Sequence, residues 1–406
     1  MSMHTSWMSW LEIKHCLIGV IALCSLVGFG CKPPISDIRP QGRTQPGTTE
    51  EESADGRPRW KFLRTFAVGE VWATSPDGKY IATIDDQRVR LTTSLVGPVL
   101  HHAALPIVAH DLVLTKSSVI CYKRLDPAAT IIAVLDIKSG KWTRFDTKAS
   151  IWQMTADAAG DGIWVSCSDH TVRHYPDVRS GAIGVTQLNV PGYGGMLSAE
   201  PSGCIVSEVL PAGITAISND ATMRWHIDEE NPKRVSRVIT TQCGAIYIDS
   251  TVRSNPNGHT ITRIDGSTGA PLWETEHSGK IVTAAADQKS GMLSVSVGNP
   301  GSRVPAKLFV YSANGTVIMD GRGSGYFSPM LVGITDGGHR ITVIDGQRGL
   351  TTLSESGSTL ARRVQLPNIA PDVINGPFCR LSVDDRFLFI QTATNQIQIL
   401  EALHGE

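Results

Sequence analysis

An all-β ring of four-stranded sheets is the fold this sequence predicts, on three observations: the texture of the chain, a period shared by three separate markers, and a length that holds a whole number of periods. From residue 60 onward, short alternating apolar runs are divided by Gly, Asp, Asn and Pro, with few helix-period stretches. That is the pattern of half-buried strands and turns. The first marker is a turn glycine, in "SPDG" ending at Gly78, "DAAG" at Gly160, "EPSG" at Gly203 and "DQKSG" at Gly291, with spacings of 82, 43 and 88. The second is D-x-x-x-G, at Asp136–Gly140, Asp265–Gly269 and Asp345–Gly349, spaced by 129 and 80. The third is tryptophan, at 60, 142, 225 and 273, spaced by 82, 83 and 48. All are multiples of one unit of about 43 residues, enough for four strands and their turns, which is one blade of a β-propeller. Residues 60 to 406 supply about eight such units, so eight blades are expected, with seven blades and longer loops as the alternative.

Ahead of the repeat lie two segments of different character. Residues 17–30, LIGVIALCSLVGFG, are uncharged and follow Lys14 and His15, the order of a secretory signal. As a helix those residues span roughly 21 Å, short of the roughly 30 Å hydrocarbon core. Gly28 and Gly30 supply the small residues of a cleavage site, and the cut leaves Cys31 at the new N-terminus. The stretch "SLVGFGCKPP" resembles a bacterial lipoprotein signal, in which that cysteine carries lipid; Gly28 stands where the family usually has Leu. The resemblance implies lipidation of Cys31 and an exported, lipid-anchored protein, periplasmic or at the cell surface, with plain secretion after the same cut as the alternative. Residues 31–59 contain five prolines and almost no large apolar side chain, so they read as a disordered tether with Glu50–Glu52 as a solvated part of it.

Within 60–406 the first run, "WKFLRTF" (60–66), precedes the first marked turn, while "QIQILEAL" (396–403) ends the chain. Residues 60–66 are therefore expected to form the outer strand of the last blade and close the ring. "SPDGKYIATIDDQRVRLT" (75–92) and "VSCSDHTVRHY" (165–175) resemble WD40 blades, which implies that Asp169 holds backbone amides in a tight turn and that Tyr175 ends a third strand. "IDGSTGAPLWETE" (264–276) and "LDIKSGKWTRF" (135–145) look like blades of quinoprotein-like propellers. Neither of the two WD40-like stretches carries the family's Gly-His or Trp-Asp dipeptide.

Charge and motifs restrict function more than they define it. With 37 Lys and Arg against 38 Asp and Glu, the chain advertises no basic face for nucleic acid. Five cysteines follow Cys31, at 121, 167, 204, 243 and 379, without CxxC or Cys/His metal spacing, and they read as small apolar core residues. No GxSxG, HExxH or P-loop is present, and the quinoprotein dehydrogenases' adjacent cysteine pair is missing. "GRGSG" (321–325) reads as a turn between blades. His101-His102, the one adjacent histidine pair, falls on an expected outer strand with no carboxylate or cysteine within eight residues. His170, His174 and His226 stand singly, and Asp85-Asp86, Glu229-Glu230 and Asp384-Asp385 read as turn residues. No catalytic residue, metal ligand or cofactor is expected. The function implied is a non-enzymatic, membrane-tethered scaffold binding envelope proteins or peptides; the alternative is a hydrolase, lyase or sugar-binding propeller with a site dispersed over several blades.

Overall fold

The computed structural model describes residues 59–403, less 68–70, 94–96, 125, 159, 182, 210–211, 229–232, 253–254, 280, 299–306, 321–329, 336–339, 345–348, 355–358, 366–378, 382–385 and 394–395. The signal, Cys31 and the tether up to residue 58 therefore lie outside the described residues, as do "GRGSG", Glu229-Glu230 and Asp384-Asp385, whereas Arg59, expected in the tether, already belongs to a strand. Among the described residues the strands form eight four-stranded antiparallel sheets, each a meander of four consecutive strands except the last.

The first sheet runs Val71–Thr74, Tyr80–Asp85, Arg88–Thr93, Val99–Ala104. The second is Asp111–Leu114, Ser118–Tyr122, Ile131–Asp136, Trp142–Asp146, and the third Ile151–Ala156, Ile163–Cys167, Thr171–Tyr175, Thr186–Asn189. The fourth comprises Tyr193–Glu200, Gly203–Val209, Gly213–Ser218 and Met223–Asp228, and the fifth Lys233–Thr240, Ile246–Val252, Asn255–Ile264 and Pro271–His277. The sixth holds Ile281–Ala286, Leu293–Val297, Lys307–Tyr311 and Val317–Met319; the seventh Met330–Thr335, Arg340–Ile344, Gly349–Ser354 and Thr359–Gln365.

In the eighth sheet, Cys379–Leu381, Phe387–Ala393 and Gln396–Leu403 are joined by Arg59–Ala67 from the other end of the repeat region. That strand pairs with Gln396–Leu403 from Arg59 opposite Leu403 to Ala67 opposite Gln396, with a bulge between Phe62 and Arg64. Two facts fix the last joint of the ring. Ile81 of the first sheet packs in one cluster with Phe387, Phe389, Ile397 and Ile399 of the eighth, and the Trp72 indole donates to Gln391 at 3.0 Å.

The period has a packing cause. Second strands such as Ser118–Tyr122, Ile163–Cys167 and Leu293–Val297 are buried at every residue, because each is covered by the sheet before and the sheet after. The fourth strand lies at the rim, and Val99–Ala104 accordingly alternates between exposed and half-buried positions. Apolar clusters are shared by the first and second sheets, the second and third, the third and fourth, the fourth and fifth, the fifth and sixth, and the sixth and seventh. Each fully buried Ile, Leu or Val in them contributes roughly 1.5–3 kcal/mol, and no sheet can cover itself. Cys121, Cys167 and Cys204 belong to these clusters and are fully buried. Cys243 differs from the expectation, being an exposed turn residue.

Two sequence markers need correction. Gly78, Gly160, Gly203 and Gly291 all stand at the end of a first-to-second-strand turn, but the D-x-x-x-G ladder mixes two positions. Asp136 and Asp265 open third-to-fourth-strand turns, whereas Gly349 opens a third strand, so Asp345–Gly349 joins the second strand to the third. Trp60, Trp142, Trp225 and Trp273 all lie on outer strands. Trp142 nonetheless packs on the cluster shared by the first and second sheets, while Trp225 and Trp273 pack toward the following sheet. Register is the reason: a bulge lies near each of Trp225 and Trp273, and the pairing from Ile131 to Leu135 has none.

Candidate functional site: buried polar joints between sheets

The chemistry-bearing side chains of this ring concentrate where one sheet meets the next. In four joints a ring N–H faces a carbonyl in the third-to-fourth-strand turn of the following sheet. His101 Nε2 lies 2.6 Å from Ile137 O and His174 Nδ1 3.0 Å from Asn219 O. Trp225 Nε1 donates to Gly266 O at 2.9 Å and Trp273 Nε1 to Ala313 O at 3.1 Å. Each acceptor is the second residue of its turn, after Asp136, Ser218, Asp265 and Ser312. Three of the rings also lie on a turn glycine with positive φ: His101 on Gly140 (+66°), Trp225 on Gly269 (+74°) and Trp273 on Gly315 (+88°). A Cβ there would meet ring atoms at 2.7–2.8 Å, so the glycine serves both the turn and the close approach.

The joint between the third and fourth sheets is built differently. His174 stacks on Trp164, centroids 4.2 Å apart and planes 11° apart, and its Nε2 reaches Asp157 Oδ2 at 3.3 Å. Asp157 also accepts from Gly160 N at 2.5 Å. Burial opposes ionisation of Asp157, but His174 and the Gly160 and Gly162 amides outweigh it and hold the carboxyl below its ordinary value. Asp157 is one of a set the sequence reading passed over. Ser75, Thr115, Asp157, Thr241 and Asp287 occupy the same place, the first residue of a first-to-second-strand turn, and all are buried. Each side-chain oxygen takes a turn amide: Tyr80, Ser118, Gly160, Ala245 and Ser290 respectively. The glycine read from the sequence ends the turn that this oxygen begins.

Within the fourth sheet, Glu208 accepts from Gly192 N at 2.5 Å and from the Thr215 hydroxyl. Thr215 Oγ1 lies 2.8 Å from His226 Nδ1, and His226 Nε2 3.0 Å from Asp228. A hydroxyl between a carboxylate and an imidazole has the composition of an activated nucleophile. Thr215 and Glu208 are 0% and 5% exposed, however, so that oxygen is shut off from solvent in this structure. In the fifth sheet Asp249, 1% exposed, accepts from His259 Nδ1 at 2.8 Å. Nearby, His277 meets the Tyr311 hydroxyl of the sixth sheet at 3.1 Å.

The residues singled out in the sequence are thus distributed, not gathered. His101 and His102 lie on the outer strand Val99–Ala104, as their spacing implied; His101 is a joint, and His102 Nε2 takes Arg88 Nε at 3.2 Å. Asp85 ends a strand and Asp86 takes φ +49° in the turn after it. Asp169 accepts from the Thr171 amide at 3.2 Å and hydroxyl at 2.6 Å and pairs with Arg173, and Tyr175 ends the third strand. His170 sits in the same turn at φ +62°. Among the described residues no group of three His, Cys, Asp or Glu side chains has metal-binding geometry.

The ring of twisted four-stranded sheets defines a β-propeller. No protein-family model matches the chain, and no curated protein matches it in sequence. Solved structures do. A Dos1 propeller aligns over 84% of this chain and 95% of its own at 11% identity, with a TM-score of 0.57. The computationally designed Ika8 protein covers 84% and 98% at 10% identity and 0.58, and BamB from Moraxella catarrhalis 84% and 100% at 14% and 0.52. At such identities the likeness shows the fold alone.

Proposed function

We propose that this protein is a non-enzymatic propeller scaffold that binds protein or peptide partners in the cell envelope and is held to a membrane by lipid on Cys31. One observation carries the reading: among the described residues, the pairs Asp157–His174, Glu208–Thr215, Asp249–His259 and His277–Tyr311 are buried and bonded to one another. A rigid ring loses little entropy when its loops engage a partner. One loop suits contact. Residues 176–185 of the third sheet contain the 3-10 helix Val178–Ser180, capped by Asp177 and anchored by buried Val178, and they leave Ile183 75% exposed. The anchor rests on the signal-like segment ending at Gly30.

Two experiments test the reading. Cys31→Ser should move the protein from the detergent phase to the aqueous phase on fractionation; unchanged partition removes the anchor. Crosslinking in intact cells with mass spectrometry should recover one or a few envelope proteins joined through loop residues such as those around Ile183. Self-crosslinks alone, together with turnover in a glycosidase, esterase and lyase screen, would replace the scaffold with the enzyme alternative.

A further inference from the structure

His259 and His277 stand directly opposite each other on neighbouring strands of the fifth sheet. Both are 5% exposed. His259 is held from its own sheet by Asp249 at 2.8 Å. His277 is held from the next sheet: the Tyr311 hydroxyl lies 3.1 Å from Nε2 and the Phe309 ring centroid 4.6 Å away. The same Tyr311 ring touches Trp273, the indole that stands on Gly315 and donates to Ala313. This imidazole is therefore wedged into the contact between the fifth and sixth sheets.

We propose that His277 makes the joint between the fifth and sixth sheets acid-sensitive, so that mild acidification loosens this joint ahead of the rest of the ring. A proton on His277 places a charge where burial leaves it poorly solvated, opposite a second imidazole. The titratable groups facing it are His259, itself bonded to Asp249, from its own sheet and Tyr311 from the next, with Asp320 acting on Tyr311. Glu276, beside it in the strand, is exposed.

The sign follows from linkage. Burial first, and His259 second, push His277 down from 6.5 to about 4. An opened joint returns it toward its ordinary value, so the open form binds more protons between those limits, and closure weakens as pH falls from 6.5 toward 4. At pH 5 the opening equilibrium should exceed that at pH 7.5 by about thirtyfold. The dependence attributed to Asp157 falls below 3.8, outside this window.

Hydrogen–deuterium exchange of the whole protein at pH 7.5 and 5.0, corrected for intrinsic rates, tests this. Peptides covering 271–277 and 307–311 should open about thirtyfold more at pH 5.0, while 118–122, in a second strand that carries no histidine, stays unchanged. His277→Gln, which keeps a hydrogen-bonding side chain without titrating, should lose the dependence. Should that variant not fold, histidine NMR of the unaltered protein still decides: His277 should remain neutral at pH 5. Acceleration spread evenly over the ring, no acceleration, or a His277 titrating near 6.5 would overturn the proposal.

Discussion

Removal of Arg59–Ala67 is expected to abolish cooperative unfolding of the ring, or to lower its midpoint by more than 15 °C, whereas removal of residues 34–57 leaves the midpoint within 2 °C (both about, from the usual relation of stability to midpoint). The strand makes eight paired positions with Gln396–Leu403. Without it that strand becomes an open edge, and the cluster of Phe387, Phe389, Ile397 and Ile399 loses Leu63. This cluster also receives Ile81 of the first sheet, so the damage falls on the one joint the chain does not close in sequence order. Calorimetry of the two deletions decides; equal effects would refute the closure.

Gly269→Ala should cost about 3 kcal/mol, from roughly 1–2 for an alanine at left-handed φ and roughly 1–3 for overpacking. Its φ is +74°, and the added Cβ would lie 2.8 Å from Trp225 Cδ2. Trp225 is held from behind by the fourth and fifth sheets' shared cluster and by its bond to Gly266 O, so it has little room to retreat. Gly181→Ala provides the comparison: φ is similar at +67°, but nothing lies within 4 Å of the new Cβ. Urea midpoints should separate the two by about 1–3 kcal/mol. Equal losses would mean that backbone strain alone acts and that the ring-on-glycine contact contributes nothing.

The fold was legible because its cause is local and repeated. Each unit must turn sharply between its first and second strands, and Gly78, Gly160, Gly203 and Gly291 mark that place. The closing strand could be inferred because 60–66 precedes the first marked turn and carries a tryptophan of the ladder. The polar joints were not legible, because their partners are brought together by register and by neighbouring sheets. Asp157 and His174 are 17 apart, His174 and Asn219 45 apart, and His277 and Tyr311 34 apart. No linear motif spans such distances. Trp142 shows the limit most clearly: its spacing matched the ladder, yet without a nearby bulge it faces the other neighbour. One signal was present and unread, the oxygen-bearing side chain that begins the first-to-second-strand turn in five sheets, at Ser75, Thr115, Asp157, Thr241 and Asp287.

We propose that the buried carboxylates serve the structure of the ring, and thermal unfolding of Asp157→Asn, Glu208→Gln and Asp249→Asn tests this most directly. A carboxylate that serves a joint loses charge-assisted hydrogen bonds on becoming an amide, at about 1–3 kcal/mol each. A carboxylate kept for catalysis is commonly held at the expense of stability, and its replacement raises the midpoint. The prediction is a lower midpoint for all three variants. A midpoint unchanged or raised, above all for Glu208→Gln beside Thr215 and His226, would contradict the scaffold and point to a working site in the fourth sheet.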